Sequence, residues 1–155
     1  MTIRVRPAGP SDAAAMSGVL VASITELCSL DHGNDPRIIA AWTANKTPEG
    51  VLAMLASPET SMFVAVRDGQ IVGVGALTDN TISLNYVSPK HQRTGVSSAV
   101  LAELERILAG RGVEVAQLKS TATARDFYRA MGWSEMAPPR EGRFITSVEM
   151  QRKLR

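Results

Sequence analysis

Three short apolar runs separated by tight turns constrain the fold of this chain most. Met62-Phe63-Val64-Ala65-Val66 reads as a strand, Asp68-Gly69 is a strong tight-turn pair, and Ile71 to Leu77 reads as the return strand. Thr78-Asp79-Asn80 turns the chain again, and Ile82, Leu84 and Tyr86 alternate along a third strand that Ser88-Pro89 closes. Turns this short join antiparallel neighbours. The predicted unit is an antiparallel meander.

Both flanks differ in character. Ile3-Arg4-Val5-Arg6 alternates as a short strand that Pro7 to Pro10 ends, and Ser11-Asp12 offers an N-cap for a helix to about Leu27. Ser29 to Asp35 carries turn residues and reads as a loop. Two short helices follow near Arg37–Ala44 and Pro48–Ala56, with Pro48 suited to a first turn. After the meander the period becomes helical from about Thr94 to Ala109, where Val96, Val100, Leu104, Ile107 and Leu108 share a face and Gly110 and Gly112 end the helix. Val113 to Leu118 is predicted as a strand and Thr121 to Met131 as a helix with Gly132 as its left-handed cap. Trp133–Met136 and Phe144–Met150 complete the pattern as two strands. No linker, repeat or low-complexity tract divides the 155 residues, so the expectation is one α/β (α+β) domain over 1–155 built on a single mixed sheet.

Composition narrows the function classes. The count of 17 Lys+Arg against 15 Asp+Glu supplies no strong tether to nucleic acid. A helix-turn-helix made of the two short helices would carry only Arg37 and Lys46 as cations, too few to read phosphates. The late cations Arg140, Arg143, Arg152, Lys153 and Arg155 read as a solvated rim and tail. Cys28 is the single cysteine, which excludes an intrachain disulfide and a multi-cysteine zinc site. Ala13 to Ile24 is too short to span a membrane and reads as a capped helix rather than a signal peptide. The expected setting is cytoplasmic, with no membrane partner and no metal.

The chemistry concentrates where the third strand hands over to the long helix, through Asn85-Tyr86-Val87-Ser88-Pro89-Lys90-His91-Gln92-Arg93-Thr94-Gly95-Val96-Ser97-Ser98. The first amides of a helix lack internal partners, and with the helix dipole they favour an anion. Gly95 removes a side chain where a ligand can approach, while Lys90, Arg93, Thr94, Ser97 and Ser98 supply further donors. The result is a phosphate-binding design. It is neither a Walker loop nor a dinucleotide fingerprint.

Two motifs here resemble the GNAT family, the Gcn5-related N-acetyltransferases. Their pyrophosphate loop reads Gln/Arg-x-x-Gly-x-Gly/Ala, and this chain has Gln92-Arg93-Thr94-Gly95-Val96-Ser97, with serine at the last small position. Family members also carry Ala-x-x-Phe-Tyr-x-x-x-Gly-Phe/Trp, matched by Ala124 through Phe127-Tyr128 to Gly132-Trp133; Thr121 stands where an Asn is frequent. The element order agrees across nearly the whole chain.

The resemblance implies a mostly antiparallel central sheet with helices on both faces and acetyl-CoA as cosubstrate. It implies that the strand of Asn85, Tyr86 and Val87 meets the pantetheine arm and that Gln92, Arg93, Thr94, Gly95, Val96, Ser97 and Ser98 cradle the pyrophosphate. Thr121 and Ala124 would border the arm, the strand from Val113 would splay to open a slot, and Tyr128 would stand near the sulfur. The implied reaction is direct attack of a small-molecule or peptide amine on the thioester through a tetrahedral intermediate, with the Val87 N–H as oxyanion donor. A lysine-like amine is about a thousandfold short of its neutral form at pH 7, a cost of about 4 kcal/mol, so a base is needed. Glu26 is the candidate, with Asp31 and His32 nearby in the loop and Trp42 on the acceptor side. Phe144–Met150 is a strand available for pairing across a homodimer. The alternative reading is a non-catalytic acyl-CoA sensor or interaction module of the same fold.

Overall fold

The computed structural model describes residues 2–142 and 144–154; the cationic calls on Arg143 and Arg155 lie outside these. Eight strands and six helices follow the predicted order closely. The strands are β1 (Arg4–Pro7), β2 (Thr60–Arg67), β3 (Gln70–Thr78), β4 (Thr81–Val87), β5 (Val115–Ser120), β6 (Ser134–Glu135), β7 (Arg140–Glu141) and β8 (Thr146–Lys153). The helices are α1 (Ala13–Leu27), α2 (Ser29–His32), α3 (Pro36–Thr43), α4 (Pro48–Ala56), α5 (Val96–Gly110) and α6 (Arg125–Ala130).

The meander forms as the turns dictate: β1, β2, β3 and β4 are neighbours and all antiparallel. α5 then carries the chain back, so β5 lies parallel to β4. β8 pairs antiparallel with β5, giving the order β1-β2-β3-β4-β5-β8-β6, with β7 also on β8. Helices cover both faces. On one, Phe63, Ala65 and Leu77 pack with Val96, Val100, Leu104 and Leu108 of α5; on the other, Met62, Val64, Val74 and Ala76 pack with Met16 and Leu20 of α1 and Val51 of α4. The alternation of β2 and β3 sorts these residues between two cores.

Two glycines let α5 sit close to the sheet. A Cβ on Gly73 would come within 2.7 Å of Val96 Cγ1, and one on Gly75 within 2.7 Å of Val100 Cγ1. Larger residues there would push the helix out and carry its first turn away from β4. The sheet thus sets where that turn sits.

Several expectations need correction. Ser29–Asp35 is not wholly loop: α2 occupies Ser29–His32 and closes on Gly33 in the left-handed region. Asp12 stands at the start of α1 without capping it. Its carboxylate accepts from the Gly9 N–H at 2.8 Å and from both terminal nitrogens of Arg6 at 2.9 and 3.0 Å. The predicted helix from Thr121 begins only at Arg125, after a turn. Arg152 belongs to no solvated rim, since its guanidinium donates to Glu105 at 2.6 and 3.0 Å. Lys46 is buried, which removes one of the two cations of the helix-turn-helix reading. β8 is mostly paired within the chain: β5 takes one flank along Val148–Lys153, and β6 and β7 pair with it at Met150–Gln151 and Thr146–Ser147.

Candidate active site

The sheet opens where β4 and β5 part. They pair only at Thr81–Gln117 and Ile82–Leu118, and beyond these the strands diverge. Ser83 is an extra residue against β3, because Leu77 faces Ile82 while Ala76 faces Leu84. Such a bulge sharpens the local twist and helps turn the strand away. The gap widens into a cleft of about 590 Å³ bounded by β4, the start of α5, the end of β5, the turn before α6, Ser23 and Leu27 of α1, and Cys28 just after that helix.

Ladder geometry fixes which backbone groups face the cleft. The Ser88 N–H donates to the Val72 carbonyl at 2.8 Å, and hydrogen-bonded pairs alternate along an antiparallel ladder. Tyr86 therefore bonds to its partner Val74, while the amide and carbonyl groups of Asn85 and Val87 turn away from β3 toward the gap. The Asn85 Oδ1 is buried without a partner, an acceptor suited to an amide N–H of a ligand.

At the other end of the cleft, Gly95 sits before α5 with φ 91°, and no side chain caps the helix. Helical bonding begins with the Ala99 N–H on the Gly95 carbonyl at 3.0 Å, which leaves the amides of Val96, Ser97 and Ser98 without helical partners. The positive φ, rather than crowding, requires glycine here: the nearest atom to an added Cβ is Ile3 Cδ1 at 4.0 Å. Arg93 also takes a left-handed conformation, φ 61°. The loop is held from below, where Arg67 donates to the Thr94 hydroxyl at 2.8 Å and carbonyl at 3.0 Å, and that hydroxyl donates to the His91 carbonyl at 2.5 Å.

The cleft brings together Tyr86, Val87, Gln92, Arg93, Gly95, Val96, Ser97, Ser98, Thr121, Ala124 and Tyr128 as its walls. Thr94 is the exception among the loop residues, its hydroxyl already engaged with Arg67 and His91. Thr121 turns its hydroxyl to the Ala124 N–H at 3.1 Å. Tyr128 is 6% exposed. Burial pushes its phenol up to about 12, partly offset by a hydrogen bond from the Asn85 amide. Burial likewise raises Tyr86, whose hydroxyl Trp42 reaches as a donor. Both phenols stay protonated across the physiological range.

The acceptor-side candidates are sorted differently. Glu26 is exposed on α1 and outside the cleft walls. His32 is 1% exposed. Both of its ring nitrogens are committed, Nδ1 accepting from the Asn34 N–H at 3.0 Å and Nε2 donating to the Ile24 carbonyl at 2.8 Å. Trp42 packs with Ile24 and Cys28 in a small third core. Cys28 borders the cleft, yet burial and the charge of Asp31 push its thiol up to about 12, so it is no nucleophile.

Sequence reasoning did not give the Asn85 side chain or the Arg67 brace a role. Asn85 was legible only as strand, and nothing around Arg67 marks it as a partner of a loop 27 residues away. Among the described residues, no group of three His, Cys, Asp or Glu side chains converges as a metal site, and no helix is long and apolar enough to cross a membrane.

A sheet splayed beside an uncapped, glycine-started helix leaves a cleft between two strands with unpaired helix-start amides on its wall. The acetyltransferase (GNAT) domain family matches residues 29–154, and the chain belongs to that family. Solved structures agree in fold. A Gcn5-related N-acetyltransferase from Rhodopseudomonas palustris aligns with TM-score 0.88 at 23% identity, covering 99% of this chain and 96% of that one. The PaiA N-acetyltransferase of Thermoplasma acidophilum, in complex with coenzyme A, aligns at 0.83 and 18% identity over 99% of both chains. YncA of Salmonella typhimurium, a putative acetyltransferase solved with acetyl-CoA, aligns at 0.66 and 18% identity over 100% and 95%. No curated relative matches the sequence.

Proposed function

We propose that this chain is an acetyl-CoA-dependent N-acyltransferase acting on a primary amine. The observation that carries the reading is one cleft lined both by the free helix-start amides of Val96, Ser97 and Ser98 and by a buried phenol, Tyr128. The residues suit the cosubstrate. Val96, Ser97 and Ser98 would hold the diphosphate through N–H groups, with Gln92 and Arg93 beside it. Asn85 and Val87 would meet the pantetheine amides, with Thr121 and Ala124 opposite. Acetyl-CoA would supply the activated acyl group.

The Val87 N–H, which faces away from β3, would donate to the oxyanion formed when an amine attacks the thioester. Tyr128 would then serve as hydrogen-bond donor to the departing sulfur. A phenol raised to about 12 is a weak acid for a thiol whose ordinary pKa is about 8.5, so full proton transfer is not its main contribution. Glu26, exposed on α1 and outside the cleft walls, would reach the amine only through intervening water. Calorimetric titration with CoA should give binding in the micromolar range, and a panel of amines with acetyl-CoA should release free thiol with at least one acceptor. No affinity at about 1 mM CoA would end the reading. Binding without transfer to any amine would instead favour the acyl-CoA sensor.

A further inference from the structure

Asp31 lies on α2, directly after the α1 end that borders the cleft, and its carboxylate reaches 91 and 92 residues along the chain. One oxygen accepts from the Ala122 N–H at 2.7 Å, and the other accepts from the Thr123 N–H at 3.2 Å and the Thr123 hydroxyl at 2.5 Å. These amides belong to the turn before α6, whose residues Thr121, Thr123 and Ala124 form one wall of the cleft. Among the described turn and loop bonds no backbone acceptor takes the Ala122 or Thr123 N–H, so the Asp31 carboxylate is the acceptor that holds both of these amides. Its charge also reaches the Cys28 thiol and the Tyr86 hydroxyl on the facing side.

We propose that Asp31 is a positioning residue that ties the acceptor-side segment α1–α2 to the cofactor-side turn at Thr121–Ala124, so that the two become ordered together. The inference rests on the acetyl-CoA reading of the cleft and names a device that reading does not contain. A carboxylate with both oxygens engaged by donors is spent as a base, and its value is geometric. Two backbone N–H groups bound to a charged acceptor form strong bonds. The cost of losing them should fall on the ligand portion that meets this wall, the pantetheine arm, and spare the portion held at Gly95. Coupling of this kind is reciprocal, so ligand in the cleft should also quieten α2.

The test compares wild type with Asp31→Ala and Asp31→Asn, using CoA and ADP as ligands. ADP carries the diphosphate without the arm. Hydrogen exchange without ligand should speed up at Ala122 and Thr123 in both variants while the first turn of α5 keeps its protection. CoA affinity should fall about tenfold in the alanine variant, less in the asparagine variant, and ADP affinity should stay within about twofold. Unchanged exchange at Ala122 and Thr123 overturns the tether whether or not CoA binds. Equal losses for CoA and ADP overturn the positioning role. Wild-type protein that binds no CoA sinks the functional reading and the coupling with it, whereas wild-type and variant proteins that bind CoA equally sink the coupling alone.

Discussion

The two sides of the cleft are built on different principles. On the cofactor side, α5 packs on β3 through Val96, Val100 and Leu104, each at most 1% exposed, against glycines that admit the helix closely. The groups proposed to bind there are backbone amides, fixed once the helix is fixed. On the acceptor side, the end of α1, α2 and α3 share the small core of Ile24, Cys28 and Trp42. A few side-chain hydrogen bonds supplement it: His32 to Ile24, Asp31 to the turn before α6, and the Ser17 hydroxyl to the Lys46 carbonyl at 2.6 Å. Apolar packing fixes one wall, and side-chain hydrogen bonds help fix the other. On the proposed reading, cosubstrate geometry would stay constant while the acceptor wall is retailored by changing a few polar residues.

The contrast can be broken at several points. Cys28 tests whether the acceptor side is closed despite its smaller core. Its thiol, raised to about 12, is protonated at neutral pH, so alkylation at pH 8 should run about a thousandfold slower than for a free thiol near 8.5 and should still be climbing at pH 10. Rapid labelling that levels off near pH 9 would show that this wall opens readily. Leu104→Ala tests the other side, where loss of a fully buried leucine should lower stability by about 2–5 kcal/mol in urea unfolding. A loss under about 1 kcal/mol would mean that the α5 core is looser than its burial indicates.

Smaller effects sharpen the comparison at the ligand. Tyr128→Phe should lower kcat about thirtyfold with CoA affinity within about twofold, since the phenol proton matters when the sulfur departs; an unchanged kcat would remove Tyr128 from the chemistry. Gly95→Ala forces an L residue to φ 91°, and the strain of about 1–2 kcal/mol should weaken CoA binding about tenfold. Glu26→Gln should change kcat less than about threefold, because the side chain is exposed and outside the cleft. A drop above about thirtyfold would make Glu26 the base after all.

The same division explains what could be read before the structure. The meander, the long helix and the glycine turn before it were legible because they rest on local rules: alternation, turn pairs such as Asp68-Gly69, and a glycine where φ is positive. Tyr128 was legible through the Phe-Tyr motif around it. The acceptor wall was not, because its residues are of ordinary type and their partners are far away in the chain. Nothing near Asp31 announces Ala122, and His32 looks like a candidate base until both its nitrogens are seen to be occupied. Glu26 and Thr94 show the limit from the other direction: each lies in a segment that borders the cleft, yet the Glu26 side chain is exposed outside it and the Thr94 hydroxyl is spent inside its own loop.

The narrow seam between β4 and β5 has a mechanical meaning. Two residue pairs join a four-stranded half of the sheet to the half built on β5 and β8. A long guest lying in the open part of that seam would act as a missing rung, lending each half the polar partners the other fails to provide. Filling the cleft would then stiffen the middle of the molecule, where two residue pairs and the α5 core otherwise join the halves.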